Sequence, residues 1–159
     1  MKRLLLNLLL LVVCGCSYSQ ETTFVEKSDE ITEQLYKSIN TVRNNHNLSS
    51  LEIDKELLHT FTTPHNQYQV KIKFRTHNEN GNFDQRRSRF CRYCYLGENV
   101  HMIKNTRKPE KYNRFFTDYM NSYGHKKNIL NPEWDYVAIS TIYDPVTKYY
   151  YNTINFMKK

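Results

Sequence analysis

Gly97-Glu98-Asn99-Val100 and, downstream, Tyr119-Met120-Asn121-Ser122-Tyr123-Gly124-His125-Lys126-Lys127-Asn128-Ile129-Leu130 are the stretches on which the reading of this 159-residue chain turns. In each, a glycine stands directly before an ionisable side chain, Glu98 or His125, and an asparagine follows. Glycine lets a backbone turn tightly. Asn99 and Asn128 can close such turns through side-chain to backbone hydrogen bonds. Both stretches are therefore expected to position the ionisable group that they carry.

Outward from His125, Pro109 suits the first turn of a helix running to about Tyr123, with Tyr112, Phe115, Phe116, Tyr119 and Met120 on one face as core. Beyond it, Val137, Ile139 and Thr141 alternate with their neighbours, Asp144-Pro145 breaks the run, and Tyr149-Tyr150-Tyr151 to Phe156 resumes it. That pattern predicts an antiparallel hairpin. Towards the N-terminus, Thr76 to Cys94 is polar and basic with an Asn80-Gly81 turn, which predicts a long irregular loop. Val70, Ile72 and Phe74 carry the period of a strand. Asp54 is placed to cap a helix from Lys55 with Leu57, Leu58 and Phe61 inward, which Pro64 should stop or kink near Thr63. Ile31, Leu35, Ile39 and Val42 mark the buried stripe of a first helix, capped by Ser28 or Asp29 and ended in the loop Asn44-Asn45-His46-Asn47. Helices followed by a terminal hairpin, in a chain long enough for one core, give a single α+β domain over 29–159.

The N-terminus has a different composition. Lys2 and Arg3 precede an apolar run from Leu4 to Val13 that is too short to span a membrane and has the layout of an export signal. Two endings are open. Val13-Cys14-Gly15-Cys16 resembles a bacterial lipobox, with Cys16 lipidated as the first mature residue and the domain held at the membrane of the cell envelope. Ser17-Tyr18-Ser19 offers ordinary cleavage after Ser19 and a freely secreted protein. Residues 17–28 are polar and acidic, without apolar periodicity, and suit a flexible tether.

The formal charge is +7, and loss of Lys2 and Arg3 leaves about +5. Basic residues are scattered apart from Arg86-Arg87-Ser88-Arg89 and Arg92, and no nucleic-acid motif surrounds them, so a solvated basic loop is expected and nucleic acid is not a partner. Cys91 and Cys94 form one Cys-x-x-Cys. In an oxidising compartment the first expectation is a disulfide; zinc would need two further ligands, from His77 or His101.

The order and spacing of these segments resemble the CAP superfamily (SCP-like; cysteine-rich secretory proteins, antigen 5 and plant pathogenesis-related proteins), in its bacterial branch. Ile39-Asn40-Thr41-Val42-Arg43 and Leu48 to Asp54 are similar to the family's opening helix and the loop after it. Phe74-Arg75-Thr76-His77 resembles its Phe-Ser-His element, Gly97 to Val100 its Gly-Glu-Asn-Ile signature, and Tyr119 to Leu130 its Trp-Met-Asn-Ser-Pro-Gly-His-Arg-x-Asn-Ile-Leu. The resemblance implies an αβα sandwich, a small antiparallel sheet between helices, with a cleft lined by His77, Glu98 and His125. His65 is the alternative to His77. The family's second acid would fall at Ser122, so half of its acidic pair is missing; Pro64 and the Cys91-Cys94 segment are further departures.

Two imidazoles beside a carboxylate suit a divalent metal such as zinc, with His77, His125 and Glu98 as the ligand set. No His-Glu-x-x-His helix and no recognisable nucleophile-base pair accompanies them. The reading adopted is an exported, monomeric binding module that engages an envelope or extracellular lipid, glycan or protein through this cleft, with no catalytic residue assigned. A metal-dependent, peptidase-like hydrolase and a lipid or sterol binder are the alternatives.

Overall fold

The computed structural model describes residues 15–105 and 111–159, with side chains described in 28–105 and 113–159. The apolar N-terminal run up to Cys14, and Pro109, lie outside the described residues. Among those described, no helix is long and apolar enough to cross a membrane.

Helix α1 spans Gly15–Asn45, so it takes in the segment read as a tether and starts well before Ser28 and Asp29. Its stripe behaves as the periodicity requires, with Ile31, Leu35 and Ile39 buried in the main core. Strand β1 (Glu52–Ile53) follows, and then α2 (Lys55–Leu57), whose first turn is capped by the Asp54 carboxylate accepting from Leu57 N at 2.7 Å. Pro64 does not stop this helix. The chain passes through one π-helical stretch, Leu58–Thr62, and continues as α3 (Thr63–Ile72), with Pro64 in its first turn. Pro64 has no N–H to donate in this continuous run, and the π-helical turn directly before it is where the α-helical hydrogen-bond ladder is interrupted.

The strand expected at Val70, Ile72 and Phe74 is instead the end of α3 and the turn beyond it, where Lys73 takes a positive φ of 58°. Ile72 and Phe74 are exposed. What α3 buries is polar: His65, Asn66 and Gln69. The expected loop from Thr76 to Cys94 holds a helix, α4 (Phe83–Phe90), opened by a capping box between Asn82 and Gln85. Then come β2 (Tyr95–Lys104), α5 (Lys111–Asn121), α6 (Tyr123–Ile129), β3 (Tyr136–Asp144) and β4 (Tyr149–Lys158).

The four strands form one sheet in the order β1-β3-β4-β2. The long strands pair antiparallel, and the two-residue β1 adds a parallel edge, making the sheet mixed. The expected hairpin is β3 and β4, in register from Tyr136↔Met157 to Asp144↔Tyr149. Because side chains alternate across a strand, its residues divide between two layers. Val137, Ile139, Tyr150, Ile154 and Phe156 face α1 and α5, where Phe115 and Tyr119 complete the core. Ala138 and Met157 face α2, with Leu57, Phe61 and Cys94. Helices on both sheet faces give the expected α+β sandwich.

One side chain ties the first layer together. Arg43 is fully buried, and its guanidinium donates to Ser49 O (2.9 Å), Ile129 O (2.9 Å) and Asn131 O (2.8 Å). Helix C-termini leave carbonyls without internal partners, and their negative dipole end favours a cation. Arg43 thereby joins the end of α1 to the end of α6. Arg43→Ala is expected to cost about 3 kcal/mol of unfolding free energy, because buried carbonyls lose a charged donor. Urea denaturation checks this, and a midpoint equal to the unsubstituted protein's would refute it.

Candidate functional site

Strand β2 is the sheet edge away from β1, and the two sequence motifs meet there. Asn99 donates to His125 O (3.1 Å), and Asn128 donates to Glu98 O (3.2 Å) and to Asn99 Oδ1 (2.8 Å). Trp134 Nε1 then donates to Asn128 O (2.9 Å). The asparagines do make side-chain to backbone bonds, but these run between the motifs rather than within a turn. Gly97 likewise makes no turn: it lies in β2, where a Cβ would come within 2.9 Å of the Trp134 ring. At Gly124 a Cβ would meet nothing within 4 Å, so the close-approach reason for glycine does not hold there.

Glu98 is the centre of the site. Its side chain is buried, and both oxygens are engaged: Oε1 accepts from His77 Nδ1 (2.9 Å) and Arg86 Nη1 (3.2 Å), and Oε2 from Arg86 Nη2 (2.8 Å) and Asn155 Nδ2 (3.1 Å). Burial opposes its ionisation, yet the hydrogen bonds from His77 and Arg86 prevail and hold the carboxyl at about 2. Arg86 also donates to His77 O at 2.7 Å, fixing the loop that carries His77. Its guanidinium lies 4.6 Å from the Phe61 ring centroid. Arg86 is therefore a buried partner of Glu98 and not part of a solvated basic loop.

Both candidate histidines approach this carboxylate. His77 has a half-exposed side chain. His65 is wholly buried: Nδ1 faces Glu79 Oε2 at 2.9 Å, Nε2 faces Thr76 O at 2.7 Å, and Nε2 lies 3.8 Å from Glu98 Oε1. His77 is thus the histidine open to solvent, and His65 supports the loop behind it. His125 approaches from the other sheet face, on α6. Its ring stands edge-on to Tyr119 at 5.1 Å, and its pKa is lowered by burial and by the nearby His101, His77 and Arg75. Ser122, at the missing acid's position, is the N-cap residue of α6. Beside them His101 bridges Asp118 (2.9 Å) and Arg75 (3.0 Å).

Of the three groups expected as metal ligands, Glu98 is the one already committed. Glu98 has its charge compensated by Arg86 and its oxygens occupied, and a guanidinium beside the carboxylate opposes a second cation. Among the described residues no group of three or more His, Cys, Asp or Glu side chains is arranged to hold one. Cys91 and Cys94 are joined as a disulfide, with Cα atoms 5.7 Å apart, between α4 and β2.

Glu79 and Asn155 carry no signal in the sequence, and Arg86 stands there only as part of a basic run expected to be solvated. Asn82 followed three residues later by Gln85 is a helix-start signal; it would have turned the supposed loop into α4 and set Arg86 on a helix.

The profile of the family described as the cysteine-rich secretory protein family (CAP) matches residues 36–156. Among solved structures, an outer surface protein of Borrelia burgdorferi superposes with a TM-score of 0.71 at 21% identity, over 83% of this chain and 95% of that one. An extracellular SCP-domain protein of Bacillus anthracis gives 0.68 at 23% identity, over 86% and 43%. A cysteine-rich secretory protein of Staphylococcus aureus gives 0.63 at 22%, over 85% and 41%, so this chain spans less than half of the latter two. No curated protein matches the sequence.

A carboxyl whose folded pKa lies below its unfolded value stabilises the fold above the unfolded value, and that contribution is lost as pH falls towards the folded one. Glu98 should therefore steepen acid destabilisation between about pH 4.3, the unfolded value, and about 2. Asp144, also at about 2 with Lys73 and Thr147 against its burial, adds to the same window. Glu98→Gln is expected to be less stable at neutral pH and to have a shallower pH dependence in that window. Parallel stability-pH curves for the two proteins would refute the assignment.

Proposed function

Since the chain belongs to the cysteine-rich secretory protein (CAP) family, we propose that it is exported and acts at the cell envelope or outside it as a binding module, engaging a lipid, glycan or protein ligand at the β2 edge. The observation that carries this is the state of Glu98. A general base works best with a pKa near the operating pH, and a carboxyl held at about 2 by Arg86 and His77 is a poor proton acceptor at neutrality. The same bonds make Glu98 a good fixture. They orient His77, whose half-exposed ring faces solvent, and rigid placement of a few polar groups is what recognition needs.

His77→Ala is expected to weaken binding of the protein to isolated cell-envelope fractions by about tenfold, the value of roughly one lost hydrogen bond. Retention equal to that of the unsubstituted protein would refute the cleft reading. A lipid ligand is favoured by a different feature, a cavity of about 350 Å³ beside α1 with largely apolar walls from Tyr36, Ile53, Leu58 and Ile139. An acyl chain taken there would bind His77→Ala undiminished, which separates the two readings.

Export and anchoring have their own measurement. Lipidation at Cys16 predicts incorporation of a palmitate analogue that disappears in Cys16→Ala. Unlabelled protein in the medium would instead support cleavage after Ser19.

A further inference from the structure

A second cavity, of about 510 Å³, opens between the α2–α3 run and α4. Its size is that of small-molecule sites, ~300–1,000 Å³. His77, Glu98 and His125 do not line it, and it touches the Glu98 network only through Glu79 and Arg86. One wall includes the π-helical stretch Leu58–Thr62, a local geometry frequent at functional sites.

The chemistry of the walls is specific. Phe61 and Phe90, with ring centroids 5.2 Å apart, provide an apolar floor. Glu79 and Arg86 bring opposite charges that are already engaged: Glu79 lies 3.9 Å from Arg86 Nε and 2.9 Å from the His65 ring, and Arg86 pairs with Glu98 at 2.8 Å. Among the described residues two charges are not. There, Arg89 in the last turn of α4 reaches only the carbonyls of Asn80 (3.3 Å) and Glu79 (3.4 Å), whereas Arg86 and Arg87 each pair with a carboxylate. Glu56, in the first turn of α2, forms no ion pair among the described residues. Lys159, whose charge is felt there, is committed to Asp54 at 2.7 Å.

An anion entering this cavity gains Arg89 but meets Glu56 and Glu79, and a cation gains Glu56 but meets Arg89. A small zwitterion with an apolar body satisfies both and rests on the aromatic floor. We propose that this cavity is a ligand site separate from the β2 edge and takes a free amino acid with an apolar side chain, its carboxylate on Arg89 and its ammonium on Glu56.

The test is calorimetric titration of the full chain with L-phenylalanine, beside 3-phenylpropionate and 2-phenylethylamine, which each keep one charged head. Saturable binding of phenylalanine is expected, at least about tenfold tighter than either analogue. Arg89→Ala and Glu56→Gln, both at exposed positions, should each weaken it by about tenfold. No saturable heat up to about 10 mM, the weak end of the affinity scale, overturns the site. Equal binding of a one-headed analogue, or loss in only one of the two variants, overturns the zwitterion.

Discussion

A carboxylate kept ionised out of water governs the arrangement of this protein. Moving such a group from water into protein costs several kcal/mol unless charge and hydrogen bonds compensate for it. Glu98 is given both by elements remote from it in sequence: the Arg86 guanidinium from α4, His77 from the loop before α4, and Asn155 from the neighbouring strand. The demand runs outward, since Arg86 must itself be held, and it lies over Phe61 while binding the His77 carbonyl. The α4 segment therefore docks on the sheet for an electrostatic reason as much as an apolar one. The Cys91–Cys94 disulfide closes the short link from that helix back to β2.

The other face of the β2 edge is organised by amides. An edge strand leaves carbonyls unpaired, and such strands are normally covered or blunted. Here Asn128 reaches the Glu98 carbonyl while Asn99 reaches back to His125, so that α6 is fastened to the strand by a reciprocal pair. Gly97 completes the fit, because Trp134 packs where a Cβ would stand. These residues made the two motifs recognisable, and their observed work is to assemble the edge. Glu98 and His125 consequently approach it from opposite sheet faces, with His77, bonded to Glu98, among the charged neighbours of His125.

Hydrophobic periodicity made the first helix, the start of the second, and the terminal hairpin legible, because in each the buried residues are apolar. It failed at α3 for the converse reason. Its inward residues are His65, Asn66 and Gln69, while the apolar residues at its end, Ile72 and Phe74, face solvent. No reading that equates apolar with buried would have drawn that face correctly. The α4 helix was hidden by its charges, since the pattern Arg-Arg-Ser-Arg suggests a solvated loop until Arg86 is known to have a buried carboxylate to meet. Glu98, His77 and His125 were legible as site residues through their motifs. Glu79 and Asn155 were not, because their roles arise only when the chain is folded.

The sheet thus carries both apolar and hydrogen-bonded groups on each of its faces. Towards α1 and α5 it presents Ile139, Ile154 and Phe156, whose attraction is non-directional and depends mainly on filled volume, beside Asn152, which donates to Thr141 Oγ1 at 2.8 Å and accepts from Tyr119 OH at 2.7 Å. Towards α3 it presents groups joined by directional bonds: Asn66 to Ser140 O at 2.9 Å, Gln69 to Thr153 Oγ1 at 2.7 Å, and Thr76 N to Gln69 Oε1 at 3.0 Å. Each layer therefore joins a part set by filled volume to a part set by directional bonds. The first can exchange one hydrocarbon for another and remain a core, whereas the second admits few chemical synonyms. Sequence drift in this domain should accordingly be patchy, abundant at the apolar positions of either face and nearly frozen at the hydrogen-bonded ones.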